Sequence, residues 1–389
     1  MKTSLPSIWL LSTIALASPF ALNAFNPALP DVVRALDSDI SVVQLTLTLY
    51  MFSLGISQLL SGALADRYGR RPLMLAGMVI NLGGSLLAAF APNVDVLIIA
   101  RILQALGGGA MLVLVRAMIL DAHGRDQAGK FLSYINMAIA VAQTIAPTIG
   151  GYLNYYFDWR AIFYFTFVLN FFIGLLMFRQ LHETSDLTTN TPFRLGDLLR
   201  QYAGVLKSRV YMAYAFTGSM GTCAYLAFAS IMPYIYIDQM GGTSAEYGNW
   251  FLLVSGGYFA GSLIAARITE RFGLDRMISG GAILAILAAG LSFALIIHEV
   301  VVAAFIFALM GLVTLGRGLL LPNAQSGAVS SVSESRGTAS GMMGFMQLML
   351  ATGVTQLMPV LYGLGLGYVF GAVLGLMVLV LGFHWVAVR

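Results

Sequence analysis

Long stretches without charge constrain this chain more than any other feature. Val42 to Leu60 holds no charge and only Gln44 and Gln58 as amides, and Leu73 to Phe90 is equally uncharged. Each run is about as long as the ~20-residue helix that crosses the hydrocarbon core of a bilayer. The whole chain is written this way, 59% hydrophobic and 10% charged, with a mean hydropathy of +0.84. A soluble protein is roughly half apolar and a quarter charged. The sequence therefore specifies an all-α polytopic membrane protein, and no soluble architecture competes.

Hydropathy and loop breaks predict twelve transmembrane spans, at roughly 8–30, 41–64, 73–91, 96–119, 130–153, 161–178, 210–237, 247–266, 277–297, 300–321, 338–360 and 367–387. The N-terminal run continues without a turn signal into Asn26-Pro27-Ala28-Leu29-Pro30, too long for the core of a secretory signal peptide, and reads as the first span. The longest polar segment lies between Arg179 and Arg209 and contains a short amphipathic stretch from Phe193 to Leu206. The chain thus divides into an N-terminal six-helix bundle (1–178), a cytoplasmic linker (179–209) and a C-terminal six-helix bundle (210–389).

Between the second and third spans, Gly62-Ala63-Leu64-Ala65-Asp66-Arg67-Tyr68-Gly69-Arg70-Arg71-Pro72 packs four charges and two glycines into a short connection. Its arginines place it on the cytoplasmic side. Asp66 is expected to brace the N-terminal end of the next helix, and Arg67, Arg70 and Arg71 to pair with neighbouring helix ends. The second half echoes it in Glu270-Arg271-Phe272-Gly273, with Glu270 placed 204 residues after Asp66 and between spans 8 and 9. Among the 21 Lys and Arg residues, only Arg34 and Arg160 fall outside, while Arg101, Arg116 and Arg317 fall within spans. The rest are cytoplasmic, which puts both termini on the inner side of a bacterial-type inner membrane.

The loop resembles the signature G-x-L-a-D-r-x-G-r-r between the second and third helices of major facilitator superfamily transporters. Arg101-Ile102-Leu103-Gln104-Ala105-Leu106-Gly107 resembles that superfamily's fourth-helix pattern, with Ala105 where a glycine usually falls. Pro147, Gly150 and Gly151 resemble its fifth-helix antiporter motif, with Ala146 replacing the leading glycine. Asn23 to Pro30, Asp121, Trp159-Arg160, Pro322-Asn323-Ala324 and Gly337 to Ser340 together resemble the Bcr/CflA-type drug/proton antiporters. The resemblance covers nearly the whole chain. It implies the major facilitator fold, two halves related by a parallel repeat, and efflux of small molecules by alternating access. It also implies protons as the coupling ion and a monomer in the lipid bilayer, with no cofactor, no nucleic-acid partner and no enzymatic activity.

Candidate cavity residues follow from polarity inside spans. Pro19, Asn23, Asn26, Pro27 and Pro30 fall close to one face of span 1, a pattern that suggests a kinked helix lining a cavity. Tyr50, Ser53, Ser57 and Ser61 align in span 2, where cavity lining and helix packing are both open readings. Arg101, Arg116, Gln143, Tyr225, Arg317 and Gln347, with Tyr234, complete the candidates for substrate contact. Each mid-membrane arginine costs about 2.5–3.5 kcal/mol unless paired or hydrated. Arg101 and Arg116 read equally as braces, to span 1 or to Asp121. Arg317 reads equally as a residue snorkelling from the cytoplasmic end of span 10. The glycine run Gly107-Gly108-Gly109 lacks the strand and the Lys-Ser/Thr of a phosphate loop. A lone cysteine, Cys223, and four scattered histidines exclude a disulfide or a zinc site.

One departure from the resembled family bears on mechanism. Span 1 of Bcr/CflA-type proteins usually carries an aspartate where this chain has Asn23, and no acidic residue lies in the middle of any predicted span. A cavity exchanging a cationic drug for a proton normally needs a buried carboxylate. Two transporter readings therefore stand: a drug-exporting proton antiporter, and a carrier of anionic metabolites such as a carboxylate siderophore, outward or inward. A membrane receptor or enzyme without transport is the third, and no extramembranous domain or catalytic constellation supports it.

Overall fold

The computed structural model describes residues 7–184, 195–332 and 336–388. All regular structure among them is helical. The elements are α1 (Ile8–Ala24), a 3-10 turn (Asn26–Ala28), α2 (Leu29–Ala35), α3 (Ile40–Tyr68), α4 (Arg70–Ala89), α5 (Val94–Tyr156) and α6 (Trp159–Gln180). They continue with α7 (Leu195–Leu206), α8 (Arg209–Pro233), a π-helical turn (Tyr234–Gln239), α9 (Ser244–Phe272), α10 (Leu274–Ile297), α11 (Ala303–Ser330), α12 (Arg336–Leu364) and α13 (Leu366–Val388).

Eleven of the described helical segments are long and apolar enough to cross a membrane. The one predicted span not among these eleven, the fifth at 130–153, lies inside α5, which is helical from end to end. A straight helix would set Arg101 and Gly150 roughly 70 Å apart at 1.5 Å per residue. Instead, Arg101 Nη1 donates to the carbonyl of Ala21, and Gly150 lies against the carbonyl of Ala24. Both ends of α5 thus meet the same turn of α1, so α5 is two antiparallel arms, and the chain reverses between them. Those arms are predicted spans 4 and 5.

Span 1 is broken as its sequence suggests. Pro27 lacks an N–H and disfavours helical geometry at Asn26 before it. The chain makes a 3-10 turn there and restarts as α2.

The chain forms two compact units, Met1–Leu195 and Gly196–Arg389. Their helices repeat in register. α3 and α9 are both 29 residues long, and each start and end in α9 lies 204 positions after its counterpart in α3. Each ends on a glycine in a conformation that L residues rarely adopt, Gly69 at φ 93, ψ 154 and Gly273 at φ 84, ψ 153. α4 and α10 start immediately after these glycines. Such a turn needs a residue without Cβ, so the two glycines fix the same sharp connection in both units.

Candidate functional site

In the first unit the connection between α3 and α4 is held by a residue from far along the chain. The Glu183 carboxylate accepts from the backbone N–H groups of Arg70 at 2.9 Å and Arg71 at 3.0 Å. It thereby caps the otherwise open N-terminus of α4, where negative charge is favoured. The expected brace at this point was Asp66. Glu183 caps this end, and the Asp66 side chain, on which that expectation falls, lies outside the described residues. Arg71 reaches back to the carbonyls of Leu181, 2.7 Å from Nε, and Phe178, 3.2 Å from Nη2. Arg70 pairs with Asp121 at 3.2 Å, and Thr184 donates to the same carboxylate. Arg67 is exposed and lies over the ring of Tyr68. In the equivalent turn of the second unit a Cβ at Gly273 would meet nothing within 4 Å, and Glu270 and Arg271 are exposed.

Inside the first unit, the three consecutive glycines of α5 each admit a different neighbour. A Cβ at Gly107 would collide with Asn81 of α4, one at Gly108 with Ser18 of α1, and one at Gly109 with Ser57 and the Leu54 carbonyl of α3. Successive helical residues point about 100° apart, so the triplet lets α5 press on three helices at one level. Close by, Arg101 is fully buried. Its Nη1 donates to the carbonyls of Ala21 and Gln104 Oε1, and its guanidinium lies 4.1 Å from the Tyr50 ring centroid and 5.1 Å from that of Phe25. Gln104 continues to Ser85, Asn81 donates to the Gln104 carbonyl, and Asn170 donates to Asn81. This chain of amides ties α6, α4 and α5 to α1. Tyr50, also fully buried, bonds Ser18.

The second unit repeats the arrangement with one change. Gly316 of α11 lies against Gly281 and Ala285 of α10, and Gly318 against Tyr258 and Ser262 of α9. These are the jobs of Gly107 and Gly109, 209 positions earlier. Between them, where the first unit has Gly108 facing α1, the second has Arg317 facing α8. The arginine is 7% exposed and sits mid-helix, because α11 runs on to Ser330. Its guanidinium carbon lies 4.7 Å from the ring centroid of Tyr225 and 4.6 Å from that of Tyr258. Gly221 makes room on α8, its Cβ position 3.8 Å from Arg317 Cγ. One turn away on the same face, a Cβ at Gly218 would stand 3.3 Å from Gln347 Nε2.

The remaining candidates are more scattered. Asn23 is buried, with Nδ2 donating to the Pro19 carbonyl at 2.7 Å. Asn26 is buried with Oδ1 lacking a protein partner. Tyr234 is fully buried with an unpartnered hydroxyl, Gln143 is half-buried and Arg116 exposed. Pro147, Gly150 and Gly151 are buried, and Gly62 is half-buried. Two groupings emerge: Arg101 with Tyr50, and Arg317 with Tyr225 and Gln347. Tyr258, Glu183, Asn81 and Asn170 were not singled out by the sequence. An aromatic one helical turn from other polar positions on α9, and amides inside apolar runs, are the only signals that point to them.

The model of the Major Facilitator Superfamily matches residues 11–356. The chain belongs to this superfamily. Multidrug resistance protein D of Escherichia coli is 28% identical over 87% of this chain and 84% of its own length. A bicyclomycin resistance protein homolog of Haemophilus influenzae is 26% identical over 71% and 70%. These relatives agree with the Bcr/CflA-type resemblance. Among solved structures, a D-xylose-proton symporter superposes with a TM-score of 0.77 at 14% identity, covering 97% of this chain and 96% of that one, a likeness of fold. The protein is a multi-span membrane transporter of the major facilitator fold, not an enzyme.

Proposed function

We propose that this protein exports small organic molecules across the bacterial inner membrane by alternating access, as a Bcr/CflA-type efflux transporter energised by the proton-motive force. The observation that carries the reading is the repeat. Two units with helices in the same register, each turning on an equivalent glycine at Gly69 and Gly273, are the equipment for rocking between two states. The drug-resistance relatives support export and small-molecule cargo. We take the chain to act as a monomer with both termini cytoplasmic and residues 179–209 as the linker between its halves. Arg101, buried and bonded to α1, serves as a brace in the first unit, and within the second unit substrate contact falls to Arg317, Tyr225 and Gln347.

No described acidic residue lies mid-span: each is within two turns of a helix end or, like Asp121, at the reversal of α5. The drive therefore does not pass through a mid-span carboxylate. Expression in an efflux-deficient host tests the reading. Raised tolerance to a panel of small-molecule antibiotics, lost on dissipating the proton-motive force, is expected; tolerance unchanged from empty vector across the panel contradicts it.

A further inference from the structure

We propose that Arg317, walled by Tyr225 and Tyr258, is the subsite for the carboxylate of an anionic organic substrate. The proposal rests on the transport reading above and names its cargo class.

The repeat shows that packing does not require this arginine. Gly316 and Gly318 perform the close approaches to α10 and α9 that Gly107 and Gly109 perform to α4 and α3. The central position does the same work with no side chain in the first unit, at Gly108. A guanidinium placed there in the second unit, where Gly221 of α8 makes room for its stem, carries the insertion cost of a buried charge that the first unit does without. Arg101 shows what a bracing arginine looks like in this protein: its Nε and Nη2 are also enclosed without an acceptor, but its Nη1 bonds the Ala21 carbonyl and Gln104. Arg317 makes no hydrogen bond or ion pair among the described residues. Its Nε is enclosed without an acceptor, and its Nη groups, which are not enclosed in that way, donate to no protein acceptor.

Stacking on Tyr225 and Tyr258 holds the cation through its π contacts and leaves its N–H fork unused. A planar carboxylate accepts two parallel bonds from such a fork. A second donor stands one turn along the same face of α8: Gln347 Nε2, whose residue is nine-tenths buried and which has no protein partner. No described carboxylate lies mid-span to neutralise the arginine, so a cation brought there meets only like charge.

The test compares three probes of one shape on the purified protein in detergent: 2-naphthoate, 2-naphthamide and 2-naphthyltrimethylammonium, with binding read from tryptophan fluorescence. The carboxylate should bind about tenfold or more tighter than the other two, as expected for a hydrogen bond to a charged group. Arg317→Gln should erase that preference, and Arg317→Lys should restore only part of it. Equal binding of the three, preference for the cation, no carboxylate binding at millimolar concentration, or preference retained in Arg317→Gln would overturn the proposal. If Arg317→Gln does not fold, the wild-type ranking decides alone. Carboxylate preference without flux in liposomes leaves the subsite standing and refutes the transport reading instead.

Discussion

Gly69→Ala and Gly273→Ala are the same substitution at the same backbone turn, yet they should not cost the same. Each forces a Cβ onto φ near +90° with ψ near 154°, a region held almost only by glycine, at about 1–3 kcal/mol. At Gly273 that is the whole effect, since nothing lies within 4 Å of the new atom. At Gly69 the Cβ would stand 2.6 Å from Glu183 Oε2 and 3.2 Å from its carboxyl carbon. The carboxylate must move, and α4 loses its cap, worth about 1–3 kcal/mol more for a partly solvated charged acceptor. The assay is denaturation in sodium dodecyl sulfate followed by thiol labelling, because Cys223 is the sole cysteine and fully buried. Gly69→Ala should exceed Gly273→Ala by about 1–3 kcal/mol, and the gap should close in a Glu183→Ala background. Equal losses, or a gap that persists without Glu183, would refute the capping argument.

Other expectations follow from the same contacts. Arg101→Lys keeps the charge but cannot serve Ala21, Gln104 and the Tyr50 ring together, so stability to detergent denaturation should fall by about 1–3 kcal/mol with probe affinity unchanged. Asn23→Asp should introduce pH dependence: a protonated acid can still donate to the Pro19 carbonyl, whereas the ionised form gives up that bond and places a charge in a buried position. The variant should therefore be near wild type at low pH and lose stability progressively as pH rises past about 4, the unfolded carboxyl value; a flat profile from pH 4 to 8 counts against that placement.

The fold was legible because bilayer thickness leaves few choices. Uncharged runs of span length, the arginines of the Asp66 loop and its echo at Glu270 were enough to read twelve spans and a repeat. Helix ends were less legible. α11 runs nine residues past its predicted end at 321, since hydropathy falls before the helix does, and that hid the mid-helix position of Arg317. Long-range partners were not legible at all. Glu183 sits in polar sequence more than a hundred residues from the helix it caps, and no local pattern joins them. The triplet Gly107-Gly108-Gly109 was visible, but its counterpart Gly316-Arg317-Gly318 lies at an offset of 209 rather than 204, and only packing against equivalent helices aligns the two.

Flux under an imposed voltage tests most directly whether this protein carries anions through a span interior free of carboxylates. A monovalent anion leaving a negative interior gains about 2.3 kcal/mol per 100 mV, enough for a gradient of about 50-fold. Proteoliposomes loaded with 2-naphthoate, clamped with valinomycin and potassium at equal pH on both sides, should release it faster with an interior-negative potential, and Arg317→Gln should abolish the acceleration. Release that ignores voltage and follows an imposed pH gradient alone, or robust voltage-opposed export of the trimethylammonium analogue unaffected by Arg317→Gln, would contradict the account.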